Sequence, residues 1–434
     1  MQYYSTNGKA PFADLHKAVV KGLAEDRGLY MPERINKLPK AFFDNFQSMS
    51  FRDIAYNVAD AFFGEDVPAE DLKRIVYDTL SFDCPVQKVK DNIYSLELFH
   101  GPTLAFKDVG ARFMARLLQY FIKKEGQSDL VNVLVATSGD TGSAVANGFL
   151  GVDGIHVYVL YPKGKVSPIQ ECQFTTLGQN ITAVEVDGVF DDCQALVKTA
   201  FMDAELNQHM KLTSANSINV ARFLPQSFYY FYAYAQMKRL GLADNLVVCV
   251  PSGNFGNICS GLFGKRMGLP IKRFIAANNA NDIFYNYLQT GEYNPRPSVQ
   301  TIANAMDVGD PSNFARIYDL YHKDHAAITA DISGCTYTDE QIAESILSAY
   351  QQTGYLCDPH GAVGYRALCE GLKEGEVGVF LETAHPAKFL STVEGIIAEK
   401  VQIPAKLAAF MEGKKQSVAM SKHFADFKAF LMSR

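Results

Sequence analysis

Two glycine-rich loops combine small residues with hydroxyl or amide side chains directly after an apolar segment. They are Ser138–Gly142 (Ser-Gly-Asp-Thr-Gly) and Ser252–Asn257 (Ser-Gly-Asn-Phe-Gly-Asn). Glycine lets a backbone approach an anion closely, and a helix that follows such a loop offers N–H groups and a favourable dipole. Glycine in a strand-to-helix turn is often only structural, so one such loop is weak evidence. Two of them in one chain suggest a ligand with two anionic ends.

The familiar nucleotide-binding patterns do not account for these loops. The sequence has no Gly-x-Gly, so it lacks the Rossmann fingerprint. A P-loop is also excluded, because none of the four Gly-Lys pairs, which start at Gly8, Gly164, Gly264 and Gly413, is followed by Ser or Thr. The sequence therefore predicts an anion that is held by a different kind of site.

Besides the two loops, one lysine, Lys107, could take part in chemistry. The segment His100–Asp108 (His-Gly-Pro-Thr-Leu-Ala-Phe-Lys-Asp) places Lys107 between an apolar stretch and a predicted helix. A lysine packed among Leu104, Ala105 and Phe106 would be partly desolvated, and desolvation favours the neutral amine that forms a Schiff base. The alternative is a surface lysine whose stem lies on the protein while its ammonium group reaches water. The segment alone leaves both interpretations open.

The elements that must position these residues alternate between strands and helices. Apolar runs predict strands at 92–99, 130–136, 156–160, 182–186, 246–250, 272–277 and 377–381. Helical spacing or start signals predict helices at 110–123, from an Asp191 N-cap, from 257 toward 267, from Pro386 to about 400, and at 423–432. Residues 1–82 predict a largely helical N-terminal unit. Such strand–loop–helix repeats predict an α/β fold with mainly parallel sheets, and ligands bind such sheets at the strands' C-terminal ends.

Composition narrows the class of protein further. The chain has 434 residues, 48% of them apolar and 20% charged, with a net charge of −6. This length is enough for two or three domains, and the balance is typical of a soluble globular protein. The charge gives no general attraction to nucleic acid or to an anionic membrane, so neither is expected as a partner.

The N-terminal segment and the cysteines predict a cytoplasmic protein. Residues 1–9 lack the apolar core of a signal peptide, and no run of about 18 apolar residues predicts a membrane-spanning helix. The eight cysteines are scattered and include no Cys-x-x-Cys pair, so we expect reduced, packed thiols. A zinc site or a disulfide framework is the alternative.

Five segments carry a resemblance to a known family. Phe99–Asp108, Ala136–Gly142, Ser214–Asn219, Val250–Gly256 and Thr383–Phe389 resemble, in order and over nearly the whole chain, the motifs of the threonine synthase family, in its longer bacterial and fungal type. The resemblance implies a fold type II pyridoxal-phosphate enzyme, in which two mainly parallel sheets are wrapped by helices. It also implies a division into 1–82, a cofactor-binding domain of 83–107 and 229–434, and a smaller domain of 108–228 that closes on substrate.

The same resemblance implies which residues hold the cofactor, pyridoxal 5′-phosphate. Lys107 resembles the Schiff-base lysine, and Thr383 the hydroxyl partner of the pyridine nitrogen. Asp140 lies where many relatives place Asn against the ring hydroxyl. The cofactor phosphate would be held by the backbone N–H groups of a loop made of Gly253, Asn254, Phe255, Gly256 and Asn257.

The substrate residues follow in the same way. Ser138, Gly139 and Thr141 would hold the substrate carboxylate, and Asn216, Ser217 and Arg222 its phosphate. Arginine suits phosphate because its two-pronged guanidinium bonds two oxygens at once. A surface salt bridge is the alternative for Arg222. For His100 and His385 a scaffold role is favoured over acid–base catalysis, and for Lys163 and Lys165 a solvated loop is as plausible as a place near the phosphate.

The reaction that the resemblance implies is the last step of threonine biosynthesis. O-phospho-L-homoserine and water would give L-threonine and phosphate by γ-elimination and β-addition, which makes the chain a lyase. Two alternatives stay open: a phospho-lyase that releases a 2-oxo acid, ammonia and phosphate, and a non-catalytic relative that binds a metabolite. The sequence allows either a monomer or a homodimer.

Overall fold

The computed structural model describes residues 1–126 and 129–434. Its strands are mostly short and largely buried, and in chain order they are β1 (Gln2–Ser5), β2 (Ala13–Asp14), β3 (Tyr30–Pro32), β4 (Val86–Lys90), β5 (Ile93–Glu97), β6 (Val131–Ala136), β7 (Ile155–Pro162), β8 (Ile181–Asp187), β9 (Lys211–Ser214), β10 (Leu246–Pro251), β11 (Arg273–Asn278), β12 (Ile332–Thr336), β13 (Val377–Glu382) and β14 (Val418–Ser421).

The α-helices fill most of the intervals between strands. They are α1 (Leu15–Lys21), α2 (Lys40–Asn45), α3 (Phe51–Phe63), α4 (Ala69–Thr79), α5 (Lys107–Glu125), α6 (Asp140–Phe149), α7 (Pro168–Thr175), α8 (Phe190–Met202), α9 (Ala204–His209), α10 (Val220–Phe223), α11 (Ser227–Arg239), α12 (Gly256–Arg266), α13 (Ile283–Thr290), α14 (Phe314–Leu320), α15 (His325–Asp331), α16 (Asp339–Thr353), α17 (Pro359–Gly371), α18 (Leu390–Ile397), α19 (Ala405–Met411) and α20 (Phe424–Met432). Short 3₁₀ turns occupy Phe46–Ser48, Leu224–Gln226, Asn304–Met306 and Pro386–Phe389.

The chain forms two compact units. The first unit contains Met1, Met31–Phe106 and Phe223–Gln402. The second unit contains Gln2–Tyr30, Lys107–Arg222 and Ile403–Arg434. The division into 1–82, 83–107 with 229–434, and 108–228, which we drew from the sequence, remains a prediction about domains.

The first unit is built on a six-stranded sheet in the order β12-β11-β10-β13-β5-β4. All neighbouring strands are parallel except β4, which pairs with β5 in the antiparallel sense. Every residue of β10 is buried, as expected for a central parallel strand that is covered on both faces. Because β10 and β13 are neighbouring parallel strands, the loops that follow them emerge at the same edge of the sheet, and α17 packs on both strands.

The second unit is built on a parallel five-stranded sheet in the order β14-β8-β7-β6-β9. Strand β6 is buried at each of its six positions. Helix α6, which follows β6 in the chain, packs against α5. A second apolar layer consists of α8 and the C-terminal α20, whose Phe427 and Leu431 are fully buried. The loop after β6 therefore emerges at the C-terminal edge of this sheet.

The fold class predicted from the sequence is confirmed, and two helix boundaries are corrected. Helix α8 begins at Phe190 with Val189 as its N-cap, so Asp191 is not the cap; the carboxylate of Asp192 accepts the N–H of Val189 at 2.8 Å instead. The single helix predicted from Pro386 is a 3₁₀ turn followed by the short α18, which ends at Ile397.

Candidate active site

In the first unit, the loop between β10 and α12 is the second glycine-rich loop of the sequence. Phe255 caps α12 in the left-handed conformation, with φ of +65°. This conformation is unfavourable for a bulky residue, and it persists only where the surroundings enforce it. The Phe255 side chain is buried, and its ring centroid lies 4.5 Å from that of Phe284. Packing thus holds the turn that starts the helix.

Two further contacts fix the path of this loop. A Cβ atom at Gly253 would lie 2.6 Å from the carbonyl oxygen of Ala305 and 2.9 Å from Cα of Met306, so only glycine fits there. On the other side, the Asn254 side-chain oxygen accepts the N–H of Ser312 at 2.7 Å. The loop is therefore pressed against segment 305–312 along its length.

The side chain of Asn257, in the first turn of α12, is buried and only half satisfied. Its Oδ1 accepts hydrogen bonds from the hydroxyl groups of Tyr229 and Tyr230, at 2.7 and 2.8 Å. Its Nδ2 is buried and has no hydrogen-bond partner among the described residues. The first N–H groups of any helix also lack partners within the helix. Such a set of donors, with a glycine-lined backbone beside it, suits an anion such as a phosphate group.

Thr383 directly follows β13, the strand next to β10. It is 6% exposed, and its carbonyl oxygen accepts the N–H of Phe106 at 2.8 Å. Ala384 pairs with Ala105, so the segment that leads to Lys107 runs beside the end of β13. The ammonium group of the buried Lys388 donates to the carbonyl oxygen of Thr103 at 2.8 Å, and this hydrogen bond also holds the segment that precedes Lys107. Lys107 itself is the first residue of α5 and is partly buried.

A buried group of titratable side chains lies behind Thr383, and the sequence interpretation did not anticipate it. Asp358 Oδ2 and His360 Nδ1 are 2.5 Å apart, and His360 Nε2 accepts the N–H of Ala305, the residue that packs on Gly253. The main chain of Asp358 donates to Glu382 at 2.7 Å. Burial, with the neighbouring charge of Asp358, raises the pKa of Glu382 well above its ordinary value.

A sequence signal for part of this group does exist. Asp358 precedes Pro359 and caps α17, accepting the N–H groups of His360 and Gly361. An N-cap aspartate before a first-turn proline is a recognisable helix start. Nothing in the sequence indicates that His360 would reach the segment under Gly253.

In the second unit, the first glycine-rich loop joins β6 to α6. The Thr137 hydroxyl oxygen accepts the N–H groups of Gly139 and Gly142, at 2.9 and 2.8 Å, and so closes the turn. Thr137, Gly139 and Gly142 are buried, whereas Ser138 and Thr141 are partly exposed. The loop therefore leaves these two hydroxyl-bearing residues accessible beside the N-terminus of α6.

Asp140 begins α6 and is buried, with 4% of its surface exposed. The side-chain amide of Gln170 donates to its Oδ1 at 3.1 Å. The same Gln170 side chain lies against Gly139, where a Cβ atom would approach it within 2.6 Å. Gln170 therefore packs on the glycine and holds the carboxylate, a role that the sequence interpretation missed.

The predicted phosphate residues of the second unit divide into two groups. Asn216 is partly exposed, and its Nδ2 donates to the carbonyl oxygen of Ala136 at 3.2 Å. This bond places the loop after β9, including the partly exposed Ser217, beside the end of β6 and its glycine-rich loop.

Arg222 is buried instead, with 1% of its surface exposed, and its guanidinium donates to the carbonyl oxygen of Ala215. Burial lowers its pKa to about 10, against the opposing effect of the Asp108 charge. The surface salt bridge that we considered for it is therefore wrong.

The histidines and lysines whose roles were open lie as follows. His385 accepts the N–H of Ala387 at 3.0 Å and caps the 3₁₀ turn, and burial lowers its pKa to about 4. His100 lies 3.0 Å from Glu97 and is partly exposed. Lys163 and Lys165 are exposed. The cap explains His385 without a part in catalysis.

Comparison with known proteins decides the family. Three family models match: "Threonine synthase N terminus" over residues 2–80, "Pyridoxal-phosphate dependent enzyme" over 79–383, and "Threonine synthase, C-terminal" over 361–431. A threonine synthase of Haemophilus influenzae is 44% identical over 432 residues, covering 100% of both chains. The chain belongs to the threonine synthase family.

Solved structures of the threonine synthase family agree with the fold described above. The Escherichia coli threonine synthase is similar with a TM-score of 0.94 and 41% identity, covering 100% of both chains. The pyridoxal-phosphate-bound threonine synthase of Brucella melitensis has a TM-score of 0.92 and 36% identity, covering 100% of this chain and 99% of that one. The predicted family and the fold type II architecture are therefore confirmed.

Membership in the threonine synthase family makes pyridoxal phosphate the cofactor and the chain a pyridoxal-phosphate-dependent lyase. The loop 253–257 fits its phosphate group, because the Asn257 amide is a buried donor without a partner and Gly253 leaves room for close approach. Within residues 1–126 and 129–434, no group of His, Cys, Asp or Glu could hold a metal ion. In the same ranges, no helix has the length and apolar character needed to cross a membrane.

Proposed function

We propose that this chain converts O-phospho-L-homoserine and water into L-threonine and phosphate. The observation that supports this most is the full-length similarity to threonine synthases, at 44% identity over 432 residues. The five motifs that carry the proposed site residues lie within this matched length. The substrate is a small molecule, and we further propose a cytoplasmic location, no nucleic-acid partner, and a monomer or homodimer.

The cofactor residues have distinct proposed tasks. Lys107 holds the cofactor covalently through its ε-amine. The loop residues Gly253, Asn254, Phe255, Gly256 and Asn257 hold the phosphate by N–H donors. When bound, the cofactor supplies a conjugated ring that accepts the electron pair released at the substrate Cα.

Thr383 and Asp140 set the environment of the ring. Thr383 offers a neutral hydroxyl to the pyridine nitrogen, so that nitrogen is not forced to carry a proton. Asp140 would face the ring hydroxyl, and its carboxylate already accepts a hydrogen bond from the side-chain amide of Gln170.

The second unit offers the proposed substrate residues. Ser138, Gly139 and Thr141 hold the substrate carboxylate with hydroxyl and N–H donors at the start of α6, a favourable place for an anion. Asn216 and Ser217 hold the substrate phosphate. Arg222 adds positive charge near the proposed phosphate site. Because its guanidinium already donates to the carbonyl oxygen of Ala215, we expect it to attract the phosphate through its charge and not through a direct hydrogen bond.

Lys107 is also the proposed proton carrier. When it is not bonded to the cofactor, the ε-amine of Lys107 would remove the proton from the substrate Cα and then the proton from Cβ. The Cγ–O bond breaks and phosphate leaves with the bonding electron pair. Water adds its hydroxyl group at Cβ, and protons return to the carbon skeleton, so that one threonine and one phosphate form for each substrate and water consumed.

The test uses the purified, cofactor-loaded protein with O-phospho-L-homoserine, and measures threonine and phosphate together. We expect equal amounts of both, and a loss of roughly 10²–10⁴-fold or more in Lys107→Ala, because that variant lacks the proton carrier. Lys123→Ala is the matched control, since Lys123 is exposed in the last turn of the same helix and should leave the rate unchanged.

Other outcomes would identify the alternatives. Phosphate with 2-oxobutyrate and ammonia would indicate a phospho-lyase. A folded, cofactor-loaded protein that turns over no substrate would mean that the proposed substrate is wrong or that the chain only binds its ligand.

A further inference from the structure

We propose that Tyr229 and Tyr230 are positioning residues that orient the Asn257 carboxamide, so that its amide nitrogen faces the cofactor phosphate and makes the site selective for a phosphate-bearing cofactor. The inference deepens the proposed function and rests on its placement of the cofactor phosphate at loop 253–257. The two tyrosines are consecutive residues of α11, a helix that carries none of the residues predicted for the site.

The oxygen end of the Asn257 carboxamide is fully used. The hydroxyl groups of Tyr229 and Tyr230 lie 2.7 and 2.8 Å from Oδ1, and a carbonyl oxygen accepts two hydrogen bonds. The Tyr230 hydroxyl also lies 2.9 Å from the Asn257 carbonyl oxygen, so its single proton is shared between two oxygens of the same residue. The amide nitrogen is thereby turned away from α11, where it is buried and has no partner among the described residues.

The phenol protons favour this orientation of the amide, because each then has an oxygen of Asn257 to bond. If the carboxamide were rotated by half a turn, Nδ2 would face the phenols and the carbonyl oxygen would take the unsatisfied position. A carbonyl oxygen there would repel a phosphate, whereas an NH₂ group donates to it. Burial raises the pKa of both tyrosines well above the ordinary value, so both keep the protons that they donate to Oδ1.

The loop has no basic side chain, which is why the neutral amide of Asn257 matters for phosphate binding. Residues 252–257 include no lysine or arginine. Selectivity for an anion must then come from neutral N–H donors, from the dipole of α12 and from the room left by Gly253. An amide held in one orientation is a permanent part of this set, and an amide free to rotate is not.

The experiment compares the affinities of the full-length apoenzyme for pyridoxal 5′-phosphate and for pyridoxal, which lacks the phosphate, by visible absorbance. In Tyr229→Phe and Tyr230→Phe we expect the preference for the phosphorylated form to fall about tenfold, which corresponds to about 1.4 kcal/mol, with the affinity for pyridoxal little changed. A merely structural loss would weaken both ligands equally. The ³¹P resonance of the bound cofactor should also shift in both variants.

Tyr234→Phe is the matched control, because Tyr234 lies on the same helix and its ring stacks on Phe46 at 5.8 Å. It should keep the preference of the wild type. Asn257→Ala should lose as much preference as the tyrosine variants. If Asn257→Ala loses the preference and both tyrosine variants keep it, the positioning role is wrong. If Asn257→Ala also keeps it, the amide makes no contribution to phosphate selectivity and the inference is wrong, whereas loss of the preference in Gly253→Ala would still place the phosphate at this loop.

Discussion

Gly253 and Phe255 occupy positions in the proposed phosphate loop where few residue types fit. A Cβ atom at position 253 would meet main-chain atoms of Ala305 and Met306, which cannot move as easily as the tip of a side chain. Phe255 adopts a left-handed conformation that costs about 1–3 kcal/mol, offset by its packing on Phe284. The shape of the loop therefore depends on its neighbours, and single substitutions should report on it.

Gly253→Ala should weaken cofactor binding by about 5- to 150-fold, because overpacking costs about 1–3 kcal/mol and must displace either the loop or segment 305–306. The dissociation constant of pyridoxal 5′-phosphate measures this effect. Gly395→Ala is the control, since a Cβ atom there meets nothing within 4 Å. Unchanged affinity in Gly253→Ala would show that the loop can shift without loss of binding.

At the scale of elements, the end of β13 and the start of α17 enclose carboxyl groups that water does not reach. Glu382 is the last residue of β13, and Asp358 is the N-cap of α17. One carboxyl oxygen of Glu382 is buried and has no hydrogen-bond partner among the described residues. A buried carboxylate without compensation is costly, so Glu382 takes up a proton more readily when the chain is folded.

The stability contributed by Glu382 should fall as pH rises. Because its pKa in the folded protein lies well above the ordinary 4.5, its stabilisation is complete below about pH 4.5 and is lost as pH rises toward the folded value. Glu382→Gln stays neutral at every pH. We therefore expect the variant to become more stable than the wild type as pH rises above about 4.5, measured as the free energy of unfolding in denaturant.

Glu376→Gln should show the opposite trend and serves as the control. Glu376 forms ion pairs with Arg273 and Lys272, at 2.7 and 3.1 Å, and the hydrogen bond from Arg273 lowers its pKa to about 2. Its stabilisation is present above about pH 4.5 and is lost as pH falls toward 2, so this variant should be least stable, relative to the wild type, at neutral pH. A stability difference that does not depend on pH would contradict either assignment.

The sequence predicts the central elements better than the peripheral ones, and the reason is physical. β6 and β10 are apolar at nearly every position because both faces are covered, so they were predicted almost to the residue. β4 and β14 alternate or are short, so their sequences carry little signal. The composition of the glycine-rich loops predicts an anion site at each of them, and this stays a prediction. The orientation of Asn257 and the contact of His360 depend on residues far away in sequence, which no local pattern encodes.

At the scale of the whole molecule, most of the cysteine side chains are shielded from solvent. All eight are free thiols, and only Cys369 is exposed. Cys84, Cys193, Cys249, Cys259 and Cys357 are buried, and desolvation raises the pKa of Cys193 and Cys259 to about 12. Since the thiolate is the reactive form, buried thiols of this kind are inert in the folded protein.

A thiol reagent such as 5,5′-dithiobis(2-nitrobenzoic acid) should therefore modify Cys369 first in the native protein, the partly buried Cys172 and Cys335 more slowly, and all eight cysteines after denaturation. Cys369→Ser should remove the fastest phase of the native reaction, while Cys357→Ser should leave that phase unchanged. Rapid reaction of the five buried thiols in the native state would mean that the structure around them unfolds locally more often than its packing indicates.

The parallel pairing of β14 with β8 has a consequence for folding during synthesis on the ribosome. Val418 pairs with Val184, so the last strand of this sheet comes from a part of the chain made long after the others. While the ribosome is still at work, β8 forms the outer border of an unfinished sheet and presents open N–H and C=O groups to other nascent chains. Closing so long a loop is also entropically slow. We therefore expect chaperones to bind the nascent chain mainly before residues 403–434 have been synthesised and can pair with β8.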